Sequence, residues 1–129
     1  MISHVHHIHV VAKDPQAASA FYQKHFGAAL FTPEMEYLGS PYISIALGDV
    51  EIRIRGLRPN EDVNIVEVGR GLHHFGIQVD DLAGFAARLE RDGVEFTKKP
   101  GPGVLGSKTA FIKAPDGVVI ELVEEPAAG

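Results

Sequence analysis

The chain repeats itself once, and that repeat restricts its fold more than any other property of the sequence. Val5-His6-His7-Ile8-His9-Val10-Val11-Ala12-Lys13-Asp14 returns 67 positions later as Leu72-His73-His74-Phe75-Gly76-Ile77-Gln78-Val79-Asp80-Asp81. Paired histidines fall on paired histidines, Ile8, Val10 and Ala12 fall on Phe75, Ile77 and Val79, and Asp14 falls on Asp81. Both copies then enter a helical pattern that stops at a glycine, Gly27 and Gly93. Their ends echo as well: Asp49-Val50-Glu51-Ile52-Arg53-Ile54 lies over Gly117-Val118-Val119-Ile120-Glu121-Leu122. Two copies are too few for a solenoid, so the repeat defines one domain of paired modules. A chain of 129 residues is long enough to bury a sizeable core as a single domain. The expected divisions are a first module at 4–56, a connection at 57–71 and a second module at 72–124.

Each module reads as β-α-β-β-β. Residues 4–12 alternate, with Ile8 and Val10 on one face and His7, His9 and Val11 on the other. Asp14-Pro15 opens a helix, Asp as N-cap and Pro at the first helical position, where a missing N–H costs nothing. Ala17, Ala18, Phe21 and Tyr22 supply its apolar stripe, and Gly27 ends it. Strands are expected at 29–38, 41–47 and 50–55, separated by turns at Gly39-Ser40-Pro41 and Gly48-Asp49. In the second module a strand at 72–79 leads to an Asp80/Asp81 cap and a helix with Leu82, Phe85, Ala86 and Leu89 at helical spacing. Strands near 94–99, 108–114 and 118–124 follow, and the tail beyond Glu125 is expected to fray. Ile65, Val66 and Val68 make part of the polar connection apolar enough to pack.

Composition removes several classes of function. A net charge of −5 leaves no basic stripe to neutralise phosphates, which argues against nucleic acid. No apolar run approaches a membrane span or a leader's apolar core, so the expectation is a cytoplasmic chain with no membrane partner. The absence of cysteine rules out disulfides and thiolate metal sites. Gly101-Pro102-Gly103-Val104-Leu105-Gly106 matches the G-x-G-x-x-G dinucleotide pattern in letters only. That pattern works by opening a helix onto a pyrophosphate, and Pro102 with the β-like Lys108–Ile112 predicts a hairpin loop instead.

Each repeat places a histidine on the face of its first strand away from the apolar residues, and the last strand sets Glu121 between Ile120 and Leu122 in the same sense. If the two sheets curl toward one another, His7, His74 and Glu121 project into one hollow. Two imidazoles and a carboxylate suit one divalent first-row ion per chain, with open positions for water or substrate. Either histidine alone would read as an ordinary surface residue, and Glu121 as a solvated one. Their matched places in a repeat bring the metal reading level with the surface one.

The pattern resembles the vicinal oxygen chelate superfamily, which includes glyoxalase I, methylmalonyl-CoA epimerase, extradiol dioxygenases, and fosfomycin and bleomycin resistance proteins. The matching residues are His7-Ile8-x-Val10-Val11-x-x-Asp14 with Phe21-Tyr22 and Gly27, then His73-His74-Phe75, then Asp116-Gly117-x-x-Ile120-Glu121-Leu122. The resemblance implies an α+β fold of paired βαβββ modules with curled mixed sheets, a metal held by His7, His74 and Glu121, and a homodimer. Many members supply a fourth ligand, Glu or Gln, from the last strand of the first module. This chain has Arg53 there, and an arginine has no lone pair to give. Glu51, two residues earlier on the same face, could substitute only with a register shift.

Three functions fit this picture. A lyase or isomerase of the glyoxalase or epimerase type would act on a small oxygenated substrate, using Zn, Ni, Co or Mn as Lewis acid. Glu51 would then be the proton shuttle, with catalytic roles for Glu51 and Glu121. An extradiol-type dioxygenase would use Fe(II) in the two-His-one-carboxylate set, with His9 or Tyr42 beside it as acid or base. A drug-binding or drug-modifying resistance protein is the third. The lack of Trp and the three Tyr argue against simple sequestration in an aromatic cleft. Arg53, His9 and Tyr42 are the expected substrate-binding residues, Arg53 through an anionic group on the substrate.

Overall fold

The computed structural model describes residues 5–61, 72–103 and 106–127. They form two compact units, Met1–Ile65 and Val66–Gly129. In the first, β1 (His7–Val11), α1 (Pro15–Phe26), β2 (Ala29–Tyr37), β3 (Ser40–Leu47) and β4 (Val50–Arg55) follow one another. The second repeats the order with β5 (Phe75–Gln78), α2 (Leu82–Arg91), β6 (Phe96–Pro102), β7 (Lys108–Lys113) and β8 (Val119–Glu124). Each unit is a four-stranded mixed sheet, ordered β1-β4-β3-β2 and β5-β8-β7-β6. The first strand of each is parallel to the last, and the other pairings are antiparallel. The fold is the α+β arrangement of paired βαβββ modules that the sequence implies. No helix among the described residues is long and apolar enough to cross a membrane.

Three of the four helix ends are fixed by the residues expected to do so. Asp14 accepts a hydrogen bond from the Ala17 N–H at 3.1 Å, and Asp81 accepts one from Gly84 at the same distance. Gly27 closes α1 in the left-handed region at φ 65°, where a side chain would be strained. In α2 the cap residue is Asp92, and Gly93, at φ 80°, follows it.

Alternation then divides each sheet into two faces. Val10, Ile43, Ile45, Ile52 and Ile54 are buried with Ala18 and Tyr22 of α1. Ala110, Ile112, Ile120 and Leu122 are buried with Leu82, Ala86 and Leu89 of α2. Each such Ile or Leu contributes roughly 1.5–3 kcal/mol through its removal from water.

Several boundaries differ from the sequence expectation. The first strand begins at His7, leaving Val5 and His6 outside it. β5 begins at Phe75 because its partner β8 begins only at Val119, after the Pro115–Gly117 turn, and Phe75 pairs with Ile120. Leu72 and His73 therefore have no partner in β8, and His74 also precedes the strand. β6 starts at Phe96 because the Val94 N–H is still closing α2, on Leu89 O at 3.0 Å. On α1 the buried line is Pro15, Ala18, Ser19, Tyr22 and His25, with Ala17 exposed and Phe21 half-buried. The stripe expected from Ala17 and Phe21 lies one residue off the true face, which runs at i, i+4 and i+7 from Ala18. Gly101 and Pro102 lie in β6, and the Gly103 N–H donates to Ser107 O at 2.9 Å, so the glycine-rich run forms a hairpin arm. Val104 and Leu105 lie outside the described residues, as do Ile65, Val66 and Val68 of the connection.

Candidate functional site

In the first unit the face turned away from α1 is polar. Strand register arranges its residues in rows: His7, Glu51 and Ala46; then His9, Arg53 and Ser44; then Val11, Arg55 and Tyr42. Glu51 and Arg53 stand two residues apart on β4 and meet, Arg53 Nε donating to Glu51 Oε1 at 3.0 Å. The side chain of Glu51 is only 12% exposed and that of Arg53 33%, so the carboxylate is the more enclosed partner. The Arg53 terminal nitrogens make no hydrogen bond or ion pair among the described residues. Opposite Arg53, the buried Ser44 hydroxyl has no hydrogen-bond partner among them either.

The next row is a closed network. Arg55 donates from Nε to His9 Nε2 at 3.0 Å, from Nη1 to Gly56 O, and from both terminal nitrogens to Glu61, at 2.6 and 2.9 Å. The Arg58 N–H also donates to Glu61 at 2.6 Å. The Arg55 hydrogen bond, helped by the Arg58 N–H, holds the Glu61 carboxyl down to about 2. His9 sits below its ordinary 6.5, first because it is partly desolvated and then because Arg55 and Arg58 are close. A ring accepting from a guanidinium must keep that nitrogen unprotonated, so its geometry and its lowered pKa agree. Tyr42, opposite Arg55, is half-buried, its ring edge-on to Tyr37 at 6.2 Å.

The second unit brings His74 and Glu121 together. Glu121 lies in a row with Gly76 and Phe111, and its Oε1 stands 3.4 Å from His74 Nε2. The Phe111 ring meets the His74 ring edge-on, 5.1 Å between centroids. Both groups keep access to solvent, 30% of the His74 side chain and 26% of Glu121. Two donors bound at ~2.1 Å to one tetrahedral ion stand about 3.4 Å apart, so the spacing of Nε2 and Oε1 suits adjacent corners of a zinc-type shell. Three His, Asp or Glu side chains do not gather within either unit among the described residues. His7 belongs to the first unit, beside Glu51.

The two registers make the internal equivalence explicit. Ile8 pairs with Ile52 and His9 with Arg53, whereas Phe75 pairs with Ile120 and Gly76 with Glu121. Laying His7 on His74 therefore carries Arg53 onto Glu121. A cation occupies in one module the position that a carboxylate holds in the other.

Two features escape a reading of the sequence. Glu61 lies in the polar run Arg58-Pro59-Asn60-Glu61, which reads only as a loop, and nothing local marks it as the partner of Arg55. The first member of each histidine pair is visible in the repeat but has no role assigned by alternation. In the structure His6 Nδ1 lies 2.9 Å from His7 Nδ1, and His73 Nδ1 lies 2.8 Å from His74 Nδ1.

Comparison with known proteins agrees with this architecture. The family model described as Glyoxalase/Bleomycin resistance protein/Dioxygenase superfamily matches residues 4–122. A probable chloroplastic lactoylglutathione lyase of Arabidopsis thaliana is 34% identical over 125 residues, which cover 91% of this chain. The chain spans only 35% of that protein's length. The lactoylglutathione lyase of Escherichia coli O157:H7 is 32% identical over 123 residues, 90% of this chain and 88% of that protein. Among solved structures, the glyoxylase/bleomycin resistance protein/dioxygenase domain from Frankia sp. EAN1pec superposes with a TM-score of 0.81 at 16% identity. It covers 98% of this chain and 100% of that one, a likeness of fold.

Proposed function

We propose, from the premise that this chain belongs to the Glyoxalase/Bleomycin resistance protein/Dioxygenase superfamily, that it is a metal-dependent lyase or isomerase for a small oxygenated substrate. A thiol adduct of an α-oxoaldehyde, the substrate class suggested by the lactoylglutathione lyase relatives, is the first to test. The observation that carries the reading is the convergence of His74 Nε2 and Glu121 Oε1 at 3.4 Å. With His7, these residues would hold one divalent ion per chain. When bound, such an ion supplies Lewis acidity, drawing charge from a substrate carbonyl and making the neighbouring C–H acidic.

The proton is then moved by the chain's own residues. Glu51 is the proposed shuttle: Arg53 Nε fixes one of its oxygens and leaves the second for a proton. It would take the proton from the hydroxyl-bearing carbon beside the carbonyl and return it to the carbonyl carbon, while the hydroxyl proton passes to the former carbonyl oxygen, so the substrate is isomerised with no net gain or loss of atoms. The Arg53 terminal nitrogens and Tyr42 would orient the substrate. His9 would contribute through the nitrogen that Arg55 does not occupy.

Metal analysis of protein purified without added ions, followed by assay on the hemithioacetal of glutathione and methylglyoxal, tests the proposal. About one Zn, Ni, Co or Mn per chain, lost in His74→Ala with the fold retained, is the expected result. Full occupancy in His74→Ala would refute the site, and Fe(II) in the wild type would favour the ring-cleaving dioxygenase reading.

A further inference from the structure

The two vicinal histidine pairs have the same geometry in units that share no strand. His6 and His7 rings meet edge-on at 5.2 Å and 85°, and His73 and His74 at 5.0 Å and 85°. Neighbouring side chains within a strand point to opposite faces and could not meet in this way. They meet here because the contact falls at the strand entrance: β1 starts at His7, and His73 and His74 both precede β5. His6 is held there by its own carbonyl, which accepts from the Glu51 N–H at 3.3 Å.

Distances on either side of His74 differ in a way that bears on its tautomer. A neutral imidazole carries one N–H and one lone pair, and which nitrogen holds the proton is set by the partners of each. His74 Nδ1 lies 2.8 Å from His73 Nδ1, a full hydrogen bond. His74 Nε2 lies 3.4 Å from Glu121 Oε1, too far for the short bond that an N–H would make to a carboxylate. Both distances are met with the proton on Nδ1, donated to His73, and with a lone pair of Nε2 turned toward the carboxylate. In that tautomer two acceptors face one another, an arrangement that a cation between them would stabilise. The same kind of contact, at 2.9 Å, sets His7 Nδ1 against His6.

We infer that His6 and His73 are positioning residues, each accepting the Nδ1–H of the histidine that follows it and so holding His7 and His74 in the tautomer whose Nε2 is free to bind a metal. Ligating histidines commonly donate their second N–H to a fixed acceptor, which sets ring orientation and raises the basicity of the ligating nitrogen. A carboxylate or a backbone carbonyl usually fills that role, and here an imidazole would. The inference rests on the metal reading proposed above and adds a part for residues that never touch the ion.

Zinc competition against a chromophoric chelator, on the metal-stripped full chain, tests it. His6→Leu and His73→Leu remove the acceptor. His6→Asn and His73→Asn return an oxygen to about the place of Nδ1. Each Leu variant is expected to bind zinc about 10–100-fold more weakly, with the Asn variants restoring most of the loss. Nitrogen-15 spectra of the metal-free chain should place the His7 and His74 protons on Nδ1 in the wild type and Asn variants, and divide them between the two nitrogens in the Leu variants. Leu variants that bind zinc like the wild type, or Asn variants as weak as Leu with unchanged proton positions, would overturn the inference. His74→Ala separates the two levels: if it keeps its zinc the metal reading fails, whereas if it loses zinc and His73→Leu does not, only the positioning role fails.

Discussion

Replacing Arg53 by glutamine tests the substrate side of the site, and the structure sets the size of the effect. Arg53 Nε binds Glu51 Oε1 at 3.0 Å, with Glu51 12% exposed and Arg53 33%. Breaking a fully buried pair costs about 3–5 kcal/mol and an exposed one about 0–1. This pair lies between those limits, and in Arg53→Gln the new side chain would retain an amide N–H within reach of the carboxylate. A stability loss of about 1 kcal/mol is therefore expected, read as a small shift of the urea midpoint. The kinetic effect should be larger. If the two terminal nitrogens grip an anionic group of the substrate, removing them forfeits the ~1.5–3 kcal/mol of a hydrogen bond to a charge, and KM rises about 10–100-fold. Metal content should stay that of the wild type, and Arg53→Lys, which keeps the charge but loses the fork, should recover only part of the affinity. Unchanged KM at unchanged metal content would reduce Arg53 to a clamp on Glu51 and refute the substrate role.

Other expectations concern the scaffold. Leu89, fully buried on α2, should cost about 2–5 kcal/mol on truncation to Ala, measured by chemical denaturation, with the loss confined to the second unit's transition if the two unfold separately. Glu61, whose carboxyl is held at about 2 against an ordinary 4.5, stabilises the fold above pH 4.5, and that contribution is lost as pH falls toward 2; Glu61→Gln should flatten this part of the acid limb of metal-free protein. An acid limb unchanged by Glu61→Gln would show that the Arg55 network does not outlast solvent screening. Exposed Leu30, Phe31, Met35 and Tyr37 on edge strand β2 accord with a two-fold dimer, which light scattering at micromolar concentration should report as twice the mass of one chain. The mass of a single chain would exclude it.

The repeat made the fold legible because it compares the chain with itself. Once Asp14 and Asp81 align, two caps, two helices and two strand sets follow from local chemistry, and the family membership agrees with that reading. What alternation could not supply was where pairing starts. Leu72 and His73 look like strand, but a strand needs a partner, and β8 offers none before Val119. The site divided along the same line. His74 and Glu121 could be named from their shared face, and the structure brings them together. The Arg55–Glu61 contact and the histidine pairs were not legible, because each depends on side chains that leave the regular alternation at a strand end or in a loop.

The positional match of Arg53 with Glu121 also bears on why the modules share one chain. An assembly of two identical single modules must present the same residue at both matched places, so it can offer two carboxylates or two guanidinium groups but never one of each. Joining the copies covalently removes that constraint. One last strand can keep its acidic residue while the other exchanges it for a base, and the two halves can diverge in charge without either losing its fold. In this chain the row of Arg53 and Glu121 has diverged in charge, and the hydrophobic positions on either side, Ile52 with Ile54 and Ile120 with Leu122, remain buried in both.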